Sequence, residues 1–230
     1  MMKTLKSLAA LLALLAAAAA PGRAATTLPL NTGYDHSIYA PYPSPGPPVG
    51  TPSPSATQDM YWINIATYPT TGPAVGPAYV IQPSLPWAGV TMPNAHWVGA
   101  RNTFSSVAPT SFATPGYTIF RKCFCLSEGY KNARLNFQVR ADDSLQVWLN
   151  TQLNQLLAPS PGNFQSYLPA RSGGTDKGFR AGRNCLYVLV EDTGGAVGFI
   201  MSGDVSADGL LPAPARGVEQ TFGQCSCGAQ

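Results

Sequence analysis

Five cysteines, two adjacent carboxylate pairs and a tryptophan on a polar strand face are the residues of this 230-residue chain best placed to do chemistry. Cys123 and Cys125 form one C-x-C, Cys225 and Cys227 a second, and Cys185 stands between them. This is not the C-x-x-C of zinc knuckles or dithiol redox sites, and neither histidine is near a cysteine in sequence. Structural disulfides are therefore the expected use. Residues two apart on a strand point to the same side with Cα atoms ~6.6 Å apart, which argues against a bond between Cys123 and Cys125. The C-x-C of the tail offers both of them partners at the same spacing. The sequence predicts that the tail adds alongside strand 116–126 and bonds to it at one or both positions. Cys185 would then be the leftover thiol or a competitor for one of these partners. An odd thiol is free, buried or paired with another chain, and the last case gives a route to self-association.

Of the carboxylates, Glu191 and Asp192 end a strand beside Gly194-Gly195 and are the weak candidates for a catalytic acid pair of the kind glycoside hydrolysis uses. Their plainer role is as solvated turn formers. Asp142 and Asp143 offer oxygen ligands to Ca²⁺, which takes about six to eight, but Asp is also a favoured turn residue because its carboxylate accepts backbone N–H groups. A structural Ca²⁺ is the one cofactor weighed. A Ser-His-Asp triad would need His36 or His96 as its base, and there is no GxSxG elbow, HExxH or Gly-rich phosphate loop. The expectation is a protein that is not an enzyme, with a glycan hydrolase as the alternative. Trp148, in SLQVWLN (144–150), shares a face with Gln146 and Asn150, opposite Leu145, Val147 and Leu149. An aromatic ring with amides nearby suits sugar stacking, so Trp148, Gln146 and Asn150 are the candidate ligand-binding residues. The other reading is that Trp148 packs under the Pro-rich loop or the tail.

These residues sit on short strand-like runs. They are MYWINIA (60–66), AYVIQ (78–82), GYTIFRKCFCL (116–126), ARLNFQVR (133–140), SLQVWLN (144–150), NFQSYL (163–168), CLYVLVE (185–191) and AVGFIMSGDV (196–205). In 133–140, Leu135, Phe137 and Val139 alternate with Asn136, Gln138 and Arg140, the period of a half-buried strand. Breakers at 127–129, 142–143, 161–163, 173–174 and 194–195 separate the runs. Only TQLNQLLA (151–158) looks helical. Many short strands without intervening helices predict an all-β sandwich or barrel. Its core should take Leu135, Phe137, Val139, Leu145, Val147 and Leu149 on one sheet face, with Leu186, Val188 and Val190 from another strand.

The ends are of different character. A basic start, an apolar stretch over 7–20 and small residues to Ala24 read as a signal peptide (1–24). The apolar stretch is too short to cross a bilayer. Residues 25–58 form an N-terminal segment whose 41–58 stretch has seven prolines. It should lie extended or as a surface loop. The sandwich is expected over 59–205, and a cysteine-bearing tail over 206–230. Without Lys3, Lys6 and Arg23 of the leader, 11 basic residues balance 11 acidic ones. A neutral chain gives no electrostatic reason to expect nucleic acid or an anionic membrane as partner. Only 11% of residues are charged and 45% are hydrophobic, which excludes a long coiled coil and argues against disorder.

The motif order NTGYD, DMYWINI, NAHWV, PGYTIFRKCFCL, ARLNFQVRADDSLQVWLN, AGRNCLYVLVED and VGFIMSGDV, over roughly 31–205, resembles a recurring domain of exported bacterial proteins. Many members of that family carry a PEP-CTERM sorting tail. The resemblance implies a jelly-roll, galactose-binding-like β-sandwich, with the strands flanking Asp142-Asp143 paired as a hairpin. It also implies carbohydrate as ligand class, and glycans or other surface and matrix proteins as partners. No sorting motif follows residue 205, which favours a freely secreted or matrix-incorporated protein, outside the cell or on its surface, with the periplasm as an alternative.

Overall fold

One strand organises this protein. In the computed structural model, which describes residues 26–35, 40–41, 58–68, 75–81, 90–101, 116–160, 171–194 and 197–211, the strands are β1 (Thr26–Pro29), β2 (Tyr34–Asp35), β3 (Ala40–Pro41), β4 (Gln58–Tyr68), β5 (Gly76–Val80), β6 (Val98–Gly99), β7 (Gly116–Asp142), β8 (Ser144–Leu149), β9 (Gln155–Ser160), β10 (Arg171–Thr175), β11 (Gly182–Asp192) and β12 (Gly198–Leu210). Residues 1–24, read above as a signal peptide, His36, nearly all of the Pro-rich stretch, the 163–168 run, Cys225 and Cys227 lie outside the described residues.

The 27-residue β7 belongs to two layers. Its first half pairs with β11 along Gly116–Leu126 and with β4 along Tyr117–Arg121. Its second half pairs with β12 from Leu126 to Asp142 and with β10 from Leu135 to Val139. Beyond β11 the first layer continues through β8 and β9, and β5 and β6 link β4 to β12. All these pairings are antiparallel. The result is the all-β sandwich that the sequence predicts.

The sequence places a break at 127–129, but the chain there bends without leaving the sheet. Gly129 and Asn132 adopt φ of 73° and 53°, and the facing β12 shifts register between Ser206 and Leu210. Left-handed residues and bulges are how a strand coils from one layer to another while keeping its ladder. Gly209, with φ 87°, faces this bend, and a Cβ there would lie 2.3 Å from the Ser127 hydroxyl oxygen.

Leu135, Phe137, Val139, Leu145, Val147, Leu149, Leu186, Val188 and Val190 are all buried in one core, as expected. They face each other across two layers rather than sharing one sheet face, because Asp142-Asp143 is a crossover and not a hairpin. The strand after it, β8, pairs with β11 and β9. The helical-looking 151–158 is a 3-10 turn at Gln152–Asn154 followed by β9. The first described residues pair as β1 with β12. Outside the second layer, Ile200 and Ile81 are covered by a smaller cluster of Val90, Met92, Ala95 and Trp97.

Phe137 is 4% exposed, and a Cβ on Gly173 of the facing β10 would sit 2.5 Å from its ring. The ring therefore fills the place that a side chain on β10 would otherwise take. Phe137→Ala should cost about 3 kcal/mol, toward the low end for such truncations because the short β10 can close on the cavity. Urea unfolding measures it, and a loss under ~1 kcal/mol would mean that the ring is not a core ring.

Candidate functional site

Because β7, β11 and β8 turn Phe120, Phe124, Val188 and Val147 inward, the intervening residues form the outer face of the first layer. Register pairs align one row across it: Ile63 of β4, Arg121 of β7, Tyr187 of β11, Trp148 of β8 and Gln155 of β9. The rings of Trp148 and Tyr187 are stacked, 5.4 Å apart and 7° from parallel. Tyr187 and the neighbouring Gln146 are half-buried, whereas Trp148 is 7% and Arg121 5% exposed. Burial and the nearby Arg121 hold the Arg183 guanidinium below its usual pKa; Tyr187 opposes this and Arg180 adds to it. Arg121 thus lies opposite Tyr187, and the charges of Arg121 and Arg180 act on Arg183 further along β11.

Asn150, the third candidate of the sequence reading, is engaged in shaping the end of the sandwich. With φ 62° it accepts the Cys185 N–H through Oδ1 at 2.9 Å, and its Nδ2 donates to Asn184 Oδ1 and the Gly178 carbonyl. Asn184, fully buried, donates in turn to the carbonyls of Arg180 and Gly182. These two amides tie the 150–154 turn to the 178–184 loop beside the rings.

Cys123 and Cys185 face each other across β7 and β11 and are disulfide-bonded. That corrects the expectation of Cys185 as leftover or competitor: the register of the two strands, not the C-x-C spacing, chooses its partner. Cys125 is also disulfide-bonded, to neither of these two.

The four candidate carboxylates come together at the opposite end of β8 and β11. Asp143 Oδ2 accepts both the backbone N–H, at 2.6 Å, and the hydroxyl of Thr193. Asp192 Oδ1 accepts the Gly194 N–H, and Ser144 donates to Glu191. Their oxygens hold turns. Glu191 and Asp192, being consecutive on a strand, point to opposite faces, and Asp192 is fully buried. Among the described residues no group of three or more His, Cys, Asp or Glu is placed to hold a metal ion. His96 lies against Gly33, and its backbone bonds to Thr32.

A buried ionisable pair escaped the sequence reading. Asp59 is fully buried in a bulge of β4, where Oδ2 accepts the Gly33 N–H at 2.7 Å and Oδ1 accepts those of Tyr61 and Trp62 at 3.0 and 3.2 Å. Lys122, on the inward side of β7 between Phe120 and Phe124, is 2% exposed, with Nζ 5.8 and 5.7 Å from the ring centres of Tyr61 and Trp62. Burial pushes the Lys122 amine down to about 7, while Asp59 pulls it back up. Burial raises the Asp59 carboxyl, opposed by Lys122 and the three N–H donors. The pair ties the 30–33 segment to the core, where Trp62 Nε1 also donates to the Leu30 carbonyl at 3.0 Å.

No protein-family model and no curated protein matches the chain. Among solved structures it is similar to the PA14 sugar-binding domain from an RTX adhesin, at 18% identity and TM-score 0.26 over 43% of this chain and 55% of that one. It is also similar to the PA14 domain of the MpAFP antifreeze protein, at 25% identity and TM-score 0.25 over 42% and 45%. A third is a family 35 carbohydrate-binding module from an environmental isolate, at 21% identity and TM-score 0.26 over 46% and 75%. The chain spans about half the length of the first two.

Proposed function

We propose that this chain is a secreted, non-enzymatic bacterial module that binds carbohydrate on the outer face of β7, β11 and β8, at the cell surface or in the extracellular matrix. The observation that carries this reading is the row of Arg121, Tyr187 and Trp148, with Gln146 on the neighbouring position of β8. Sugar rings offer apolar C–H faces between hydroxyls, so an aromatic face with amide and guanidinium donors at its edge satisfies both. Tyr187 and Gln146 reach solvent and make the contact; Trp148 fixes the plane of Tyr187. The guanidiniums of Arg121, Arg180 and Arg183 favour acidic glycans, because planar forks match carboxylate and sulfate oxygens. Membership in the exported domain family that the motifs resemble is part of the same reading.

A glycan array that includes uronic-acid polymers, probed with the mature protein, tests it. Tyr187→Ala should weaken binding about tenfold or more, equivalent to ~1.4 kcal/mol. Binding unchanged by that substitution, or no binding to any glycan, removes the reading. Release of sugar from the array would replace it with a hydrolase. The odd cysteine count favours a second reading, a disulfide-linked assembly, because five thiols cannot all pair within one chain. A reducible dimer band on a non-reducing gel would support that.

A further inference from the structure

The outer face of the first layer carries a second pair of stacked rings that the row of Arg121, Tyr187 and Trp148 does not include. Tyr68 of β4 stands opposite Tyr117 of β7, and the two rings are 5.4 Å apart and 16° from parallel. At 41 and 38% they are the two most exposed aromatic rings among the described residues. Alternation along β7 puts Tyr117 on the same side as Ile119 and Arg121, so both ring pairs lie on one face. Glu191 of β11 is next to Tyr117 in register, and its Oε2 already accepts one hydroxyl, that of Ser144 on β8, at 2.6 Å. Between the two pairs runs a single half-buried row without a charge: Ala66, Ile119, Leu189 and Gln146.

We propose that Tyr68 and Tyr117 form a second sugar platform, and that the ligand of this face is an extended oligosaccharide lying across both ring pairs, with an acidic sugar at the Arg121 end and a neutral one at the tyrosine end. The proposal rests on the carbohydrate reading above and specifies its ligand. Distance decides the length. Tyr117 lies four positions along the strands from the row of Tyr187, ~13 Å, and one strand spacing of ~4.8 Å across, about 14 Å in all. A disaccharide is too short to stack on both, whereas a longer chain laid over the apolar row between them reaches. Charge decides the orientation. Arg121, facing Tyr187, attracts a carboxylate or sulfate. Glu191 repels an anion but accepts hydroxyl protons, as it does from Ser144, so the sugar on the tyrosine pair is neutral. The same carboxylate sets this end against an anionic lipid surface. Stacked across two strands, each tyrosine fixes the plane of the other, which reduces the side-chain freedom lost on binding.

The probe is a length series of hyaluronan and chondroitin oligosaccharides, which alternate acidic and neutral sugars, titrated into the full mature chain. Affinity should rise about tenfold from disaccharide to hexasaccharide, the equivalent of one aromatic stacking contact. The hexasaccharide should protect Tyr68 and Tyr117 from hydroxyl-radical labelling read by mass spectrometry, and the disaccharide should not. Tyr68→Ala with Tyr117→Ala should leave only the small rise that repeated units give. Phenylalanine at both positions keeps the rings and should retain the full rise, while Tyr187→Ala should weaken binding at every length. Should the alanine variant unfold, footprinting of the wild type decides. Affinity that gains nothing from the tyrosine pair, or equal labelling of Tyr68 and Tyr117 with and without hexasaccharide, overturns the proposal and leaves the carbohydrate reading standing. So does binding through Tyr187 of other glycans but of neither series. Tyrosines protected without any sugar, in a chain that sediments as a dimer, would assign the pair to a second copy and overturn it as well. No binding of any glycan removes both.

Discussion

Replacing Asp59 by alanine is expected to destabilise the protein by about 3–5 kcal/mol, because it removes one partner of a buried pair and leaves the other with an uncompensated amine. The substitution orphans the N–H groups of Gly33, Tyr61 and Trp62, which have left the β4 ladder at its bulge. It also strands Lys122 among Phe120, Phe124 and Trp62. Asp59→Asn keeps an acceptor oxygen for part of this set and should cost less. Replacing both residues, Asp59→Asn with Lys122→Met, should recover much of the loss, since a buried pair exchanged for neutral groups of similar volume is often close to neutral. Urea denaturation of the wild type, Asp59→Asn, Lys122→Met and the double variant makes a double-mutant cycle. Additive losses would show that the two groups do not interact.

The same pair should leave a signature in pH. An unfolded lysine keeps its proton to about 10.4, whereas folded Lys122 gives it up near 7. Between those values the unfolded chain binds more protons, so stability due to Lys122 rises with pH, and its penalty is complete below 7. Asp59 acts oppositely. Its folded pKa is raised, so the folded chain holds the extra proton above about 4 and stability falls as pH rises through that window. Relative to the double replacement, the wild-type curve should fall from mildly acidic pH and recover above neutrality. A difference curve flat from pH 4 to 10 would mean that neither group is buried as described.

How much of this was legible in sequence depended on where solvent lay. Arg134, Asn136 and Gln138 are exposed while Leu135, Phe137 and Val139 are buried, so water marks every second residue of 133–140 and the core face reads directly. In 116–126 it does not. Tyr117 is exposed and Ile119 half-buried, but beyond them both sides are largely covered, Phe120 and Phe124 by the core, Arg121 and Cys125 on the outside, so alternation carries little signal there. Arg121 and Lys122 are consecutive cations, and nothing in their types says that the lysine is the one pointing inward.

Sites were legible as residue types and not as geometry. Trp148 was picked out by its polar neighbours, but its stacking partner Tyr187 lies on another strand, in a register that no local pattern fixes. Asp142, Asp143, Glu191 and Asp192 come together only because β8 pairs with β11 after the crossover. One misreading was avoidable: adjacent strand residues point to opposite faces, so Glu191 and Asp192 could not flank one sugar. Cys185 shows the limit from the other side. Spacing matched Cys123 and Cys125 to the tail, while its true cross-strand partner depended on the register of β7 against β11.

Removing the Cys123–Cys185 bond, as the Cys123→Ser and Cys185→Ser pair, is expected to cost roughly 4 kcal/mol in the chain-entropy account of loop closure. The two residues are 62 apart in sequence, so the bond forbids many conformations to the unfolded chain. In the folded chain it joins residues that the β7–β11 ladder already holds opposite each other from Gly116 to Leu126. The native backbone should therefore change little, and the effect should lie in the unfolded state. That separates it from a packing mutation such as Phe137→Ala. Freed of the crosslink, the unfolded chain expands and exposes more surface, so the urea slope should steepen as the midpoint falls, whereas truncating Phe137 should move the midpoint alone. A lower midpoint at constant slope would place the contribution of the bond in the folded sandwich. A loss under ~1 kcal/mol would mean that the unfolded chain keeps the two strands together without it.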